Sequence, residues 1–183
     1  GTGKDRKNLS MEELEAEVVS LLNPNRVAHV LGCRDCAIEL ARLYGENEVD
    51  AARAGLLHDI TKAIDGPLQL TLCAEYGMIL DTFSRSFPKT LHALTGSLVA
   101  RRIFGENENV VSAICHHTTG RANMTLLEKI IYIADYVERN RDFPGVEEMR
   151  RLAYTDLDAA VLMGLESAVA HVRRQGQGLA PAT

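Results

Sequence analysis

From Met11 onward the apolar residues recur at three- and four-residue spacing, and no stretch alternates apolar and polar residues with the period of two that a half-buried strand requires. That periodicity predicts helices over Met11–Leu22, Arg26–Tyr44, Glu48–His58, Pro67–Tyr76, Leu91–Phe104, Asn109–His117, Thr125–Asn140, Val146–Tyr154 and Asp156–Arg174. Gly45, Gly77, Gly105, Gly120 and Gly176 each follow a periodic segment, where a left-handed residue closes a helix. Thr125 with Glu128 has the spacing of a capping box, and Pro67 suits a first helical turn. The expected fold class is therefore all-α, a compact multi-helix bundle. At roughly 150 residues per domain, 183 residues make about one domain. We expect a flexible N-terminal segment over 1–10 and a single domain over 11–183.

Composition narrows the partners. The net charge is −5, and nine aromatic residues (five Tyr, four Phe, no Trp) offer little for base stacking, so a nucleic-acid surface is not expected. Apolar runs such as Ile130–Ala134 are far shorter than the ~20 residues of a membrane span, and the first 22 residues are polar and acidic rather than a basic-then-apolar signal. A cytoplasmic protein without membrane contact is the expectation.

The informative residues are polar ones inside apolar helical text. His29 lies in Val27–Leu31, His58 and Asp59 follow Ala54–Leu57, His92 lies in Leu91–Leu94, His116 and His117 follow Val111–Cys115, and Asp135 is embedded in Ile130–Val137. An isolated ionised carboxylate on a buried face is very costly, so Asp135 needs a cation, a cluster of donors or a metal. Imidazole and carboxylate together suit a divalent first-row metal such as iron or manganese, and helical bundles can assemble such sites from several helices. His116 is the weaker of its pair, because adjacent helical residues point about 100° apart. His171 reads as a surface or packing residue. Cys33-Arg34-Asp35-Cys36 has zinc or redox spacing, but Cys73 and Cys115 are solitary, so free thiols are expected.

The ordered set His29, His58-Asp59 and Asp135, with Arg26–Gly32, Ala54–Lys62, His117–Gly120, Leu126–Asp135 and Arg141–Gly145 around it, resembles the HD superfamily of metal-dependent phosphohydrolases. Within it the chain is similar to the bacterial symmetrical bis(5′-nucleosyl)-tetraphosphatases, which hydrolyse diadenosine tetraphosphate to two ADP. The resemblance implies an HD-domain bundle with a metal site between helices. It implies metal ligation by His29, His58, Asp59 and Asp135, with iron as the metal or manganese in its place, as one or two ions. His92 and His117 match additional histidines that either complete a second metal position or contact phosphate. The tail Leu179–Thr183 resembles a segment that closes over the nucleotide.

Arg26 lies one turn before His29, Lys62 three residues after Asp59, and Arg141 just past the Asp135 helix. With Thr118 beside His117, these are the expected substrate contacts; Asp59 and Lys62 are the expected catalytic residues, Asp59 both ligating metal and orienting the attacking water. The expected reaction is attack of metal-generated hydroxide on the polyphosphate. Alternatives are an HD-type nucleotidase acting on mononucleotides, or a non-catalytic metal-containing nucleotide sensor. The expected partners are the nucleotide substrate, its ADP product and a second copy of the chain in a homodimer.

Overall fold

A computed structural model describes residues 6–64, 66–77 and 90–176; the C-terminal tail singled out above lies outside them. Among the described residues there are nine α-helices and no strand. In chain order they are α1 (Met11–Leu21), α2 (Val27–Tyr44), α3 (Glu48–Leu57), α4 (Gly66–Glu75), α5 (Leu91–Arg102), α6 (Glu108–Cys115), α7 (Leu126–Val137), α8 (Val146–Thr155) and α9 (Leu157–Arg174). A 3₁₀ turn, Pro24–Arg26, leads into α2. None of these helices is long and apolar enough to cross a membrane.

Local chemistry sets most helix starts. Ser10 with Glu13 and Thr125 with Glu128 form reciprocal capping boxes on α1 and α7. The side chains of Asn47, Asn107 and Asp156 accept backbone N–H groups at the starts of α3, α6 and α9. Packing begins before Met11: Leu9 is buried, Arg53 Nη1 donates to its carbonyl, and Arg6 pairs with Glu17 at 2.8 Å.

α7 runs through the centre, packed against α2, α3, α6, α8 and α9. Leu127, Ile130, Ile131, Tyr132, Ile133 and Ala134 are fully buried, so this helix is enclosed nearly all round rather than striped. Each large apolar side chain there contributes roughly 1.5–3 kcal/mol over exposure. α2 and α3 lie so close that a Cβ on Gly55 would sit 2.7 Å from the Arg34 Cα.

Six helix ends fall one to three residues earlier than the sequence periodicity predicts, and those of α6 and α7 bear on the site. α6 stops at Cys115, not at His117, because His116 and His117 enter a turn that ends at Gly120, whose φ of 65° is left-handed. α7 stops at Val137, not at Asn140: Glu138 is extended (φ −54°, ψ 156°), which turns its side chain back beneath α2.

Candidate metal centre

Six side chains from five parts of the bundle meet in one place. His29 comes from the first turn of α2, His58 and Asp59 from the end of α3, and His92 from the start of α5. His117 comes from the turn after α6, and Asp135 from the last turn of α7. Three overlapping triplets, His29–His58–Asp59, His58–His117–Asp135 and Asp59–His92–His117, each bring their ligand atoms within 4.8 Å of one another.

The two Asp59 oxygens face different neighbours. Oδ2 lies 3.8 Å from His29 Nε2 and 3.6 Å from His58 Nε2. Oδ1 lies 3.7 Å from His92 Nε2 and 3.8 Å from His117 Nε2. Asp135 Oδ1 closes the first group, 2.8 Å from His29 Nε2 and 3.6 Å from His58 Nε2. His92 Nε2 and His117 Nε2 are 3.2 Å apart in the second.

The opposite ring nitrogens show which way the lone pairs point. His58 Nδ1 lies 2.7 Å from the Gly55 carbonyl and His117 Nδ1 lies 2.7 Å from the Ile114 carbonyl. A carbonyl can only accept, so each Nδ1 carries the proton, and in the neutral ring Nε2 presents a lone pair to the cluster. His29 Nδ1 donates to Glu138 Oε2 at 2.7 Å, with the same result. His29 Nε2 and His58 Nε2 are buried and lack hydrogen-bond geometry to any described residue. In the neutral rings, imidazole lone pairs and carboxylate oxygens converge on one place, and this set of ligand atoms fits a divalent metal, which would take the place of the proton that the cluster draws onto His58.

The electrostatics say the same. Burial alone would raise the carboxyls of Asp59 and Asp135, yet the histidines hold both well below the ordinary carboxylate range, His58 chiefly for Asp59 and His29 with His58 for Asp135. Burial pulls His58 down, but Asp59 above all outweighs it and holds the ring protonated well above its ordinary value. His117 is pushed down to about 3 by burial first and then by the neighbouring His58 and His92 rings. Positive charge is thus drawn to the point between Asp59 and Asp135.

The expected phosphate contacts lie around the rim. Arg26 Nη2 donates to Asp59 Oδ2, and Lys62 is exposed one turn past Asp59. Arg141 donates from Nε to the Asp135 carbonyl at 2.8 Å and from Nη2 to Asp135 Oδ1 at 3.2 Å. Thr118 is half-buried in the turn that carries His117. His116 faces away, 3.9 Å from Glu128, and His171 is exposed on α9. The cysteines are free thiols; burial pushes Cys36 up to about 12 and also raises Cys33.

Two supporting groups were not among the expected residues. Glu138 is 1% exposed, and besides His29 it accepts the backbone N–H of Asn140, whose amide in turn donates to the Ala28 carbonyl at 2.9 Å. Its only sequence signal is an acid directly after the apolar run of α7. Behind the turn that carries Asp59, Thr61 donates to the His92 carbonyl at 2.9 Å, Gln69 donates to the Thr61 carbonyl at 2.7 Å, and Thr95 donates to Gln69 Oε1. This buried network ties α3, α4 and α5 together at the cluster.

The HD domain family model matches residues 26–140, a span that begins at Arg26 and ends just past Glu138. The chain is 40% identical over 163 residues to the symmetrical bis(5′-nucleosyl)-tetraphosphatase of Halalkalibacterium halodurans, covering 88% of this chain and 87% of the relative. It is 36% identical to the protein of the same name from Bacillus subtilis, covering 96% and 94%. A crystal structure from Clostridium acetobutylicum, described as a predicted HD superfamily hydrolase involved in NAD metabolism, superposes with a TM-score of 0.92 at 39% identity, covering 96% of this chain and 93% of that one.

Proposed function

The chain belongs to the HD-domain family, among the symmetrical bis(5′-nucleosyl)-tetraphosphatases, and from that premise we propose that it is a metal-dependent hydrolase that cleaves diadenosine tetraphosphate into two ADP. The observation that carries this reading is the convergence of buried, unpartnered imidazole nitrogens on two carboxylates held ionised. His29, His58, Asp59 and Asp135 would hold one divalent ion, and Asp59 with His92 and His117 a second. Iron is the proposed metal, with manganese able to replace it, since mixed imidazole and carboxylate donors suit both. Bound there, the metal supplies Lewis acidity and a water-derived nucleophile that ionises near neutral pH.

The chain's own groups do the rest. Asp59 stays ionised, so it serves as a ligand and as an acceptor that orients the attacking water. Arg26 fixes its free rotation by holding Oδ2. Arg26, Lys62 and Arg141 neutralise phosphate oxygens at the cluster's two carboxylates, Arg by paired hydrogen bonds and Lys as a point charge. Thr118 adds a hydroxyl donor beside His117. Water adds to the phosphorus next to the central bridging oxygen, the bond between them breaks, and each half leaves as ADP, the two protons of the water being released as the two new terminal phosphates ionise. ADP leaves as a stable anion, so no side chain has to protonate it.

The test is chelation followed by reconstitution. Stripped protein should lose turnover of diadenosine tetraphosphate and recover it with ferrous iron or manganese. Release of phosphate from mononucleotides, with the dinucleotide untouched, would instead mark a nucleotidase; metal binding without turnover of either would mark a sensor.

A further inference from the structure

A symmetrical substrate has two nucleosides, so an enzyme that cuts its centre must accommodate an arm on each side of the metal cluster. The structure provides two charged exits. Arg141 is bonded to Asp135 at one, and Arg26 to Asp59 at the other; His29 and His58 stand between the two carboxylates.

The Asp59 exit opens into a cleft of about 250 Å³ between the end of α1, the 3₁₀ turn and the turn after Asp59. Asp59 and Arg26 form its inner end and Lys62 its rim, so it is continuous with the cluster. Arg26 still has donor capacity there: its Nε is buried without a hydrogen-bond partner while Nη2 holds Asp59. Farther out the lining changes from cationic to apolar and amide. Leu21, 47% exposed, and the half-buried Leu22 and Ile60 form an aliphatic wall, and the exposed Asn25 stands beside them.

We propose that this cleft is a purine nucleoside subsite that receives one arm of the dinucleoside tetraphosphate. The order of groups outward from the cluster matches the order in the ligand. Carboxylate-held metal ligands meet the scissile bridge, Arg26 and Lys62 meet the phosphates of the departing arm, and the aliphatic wall and amide meet the base. An Asn amide can pair in two-point fashion with the N6/N7 edge of adenine, and flat base surface packs against Leu and Ile. By the symmetry of the substrate, the other nucleoside is assigned to the Arg141 exit.

This inference rests on the dinucleotide reading of the cluster, and the experiment separates the two. Diadenosine tetraphosphate is compared with adenosine 5′-tetraphosphate, which has the same phosphates and one nucleoside fewer, in the metal-loaded wild type, in Ala63→Trp, which fills the cleft from its exposed edge, and in Asn25→Ala. The readout is the ratio of kcat/KM for the two substrates, with metal content and thermal unfolding confirming intact protein. The wild-type ratio should exceed one, and both variants should lower it by on the order of fivefold or more, chiefly through KM for the dinucleotide. Asn25→Ala removes only an exposed amide and keeps the test valid should the indole disturb folding. A wild-type ratio of one, or a ratio unchanged in both variants, overturns the subsite while leaving the hydrolase reading in place. Failure of the wild type to hydrolyse either substrate overturns that reading and the subsite with it.

Discussion

Glu138 Oε2 lies 2.7 Å from His29 Nδ1, and both side chains are almost completely buried. The pair is made possible by Gly32 on α2, where an added Cβ would come within 3.0 Å of Glu138 Oε1 and of the Asn140 amide. Glu138 therefore fixes which nitrogen of His29 is protonated and how the ring is aimed, the outer-partner role that carboxylates play for metal-bound histidines.

It follows that Glu138→Gln, which keeps the shape but offers one acceptor oxygen where Glu138 uses two, for His29 Nδ1 and the Asn140 N–H, should lower metal affinity by about 10–100-fold without unfolding the chain. Metal titration of the stripped protein measures this directly. Unchanged affinity would show that Glu138 only packs.

Asp59 faces both histidine groups, one with each oxygen, so Asp59→Asn should cost more activity than the about 10–100-fold expected for an outer partner. The amide cannot serve as an anionic ligand to either group, while its near-identical shape lets the bundle fold. Circular dichroism and turnover measured on one preparation check both halves of the expectation.

How much of this was readable in advance depended on where each residue's neighbours lie in the chain. Asp135 and the histidines stood out because polar residues inside apolar periodic text conflict with their surroundings, and the motif order grouped them. Arg26 was placed beside the site by its one-turn spacing from His29. Glu138 was not, because an acid in the last turn of a helix predicted to run to Asn140 ordinarily faces water; its burial follows from the helix ending at Val137 and from the close approach of α2 at Gly32, which no local pattern encodes. The same holds for Gln69, which reads as a surface residue of a short helix and is 1% exposed because it meets Thr61 and Thr95 from other elements. His117 was expected on a helix and sits in a turn, since helix propensity cannot report that its ring caps the Ile114 carbonyl.

The metal-free protein should be most stable near pH 6.5. His58 is held above its ordinary value of 6.5, so its contribution is complete below that pH and is lost as pH rises through the folded value. His117, pushed down to about 3, contributes above 6.5 and loses that contribution as pH falls. The depressed carboxyls of Asp59 and Asp135 add a further loss below their ordinary value of 3.8. Metal must displace the His58 proton, so the rise in Tm on adding manganese should grow between about pH 5.5 and 8. Thermal melts with chelator and with metal across that range test both trends; a metal effect that shrinks as pH rises would contradict them.

Gly55→Ala should destabilise the fold by about 1–3 kcal/mol or more, because the added methyl would meet Arg34 backbone rather than a movable side-chain end. Since α2 carries His29 and α3 leads into His58 and Asp59, separation of these helices should also weaken metal binding. Denaturant unfolding of the metal-free variant reads the first effect, and metal titration the second.

The central claim is tested most directly by identifying the products that the metal-loaded protein forms from diadenosine tetraphosphate. The account predicts ADP alone, at two per substrate consumed, with formation abolished by chelation. ATP and AMP in equal amounts, or turnover that persists in metal-stripped protein, would contradict it.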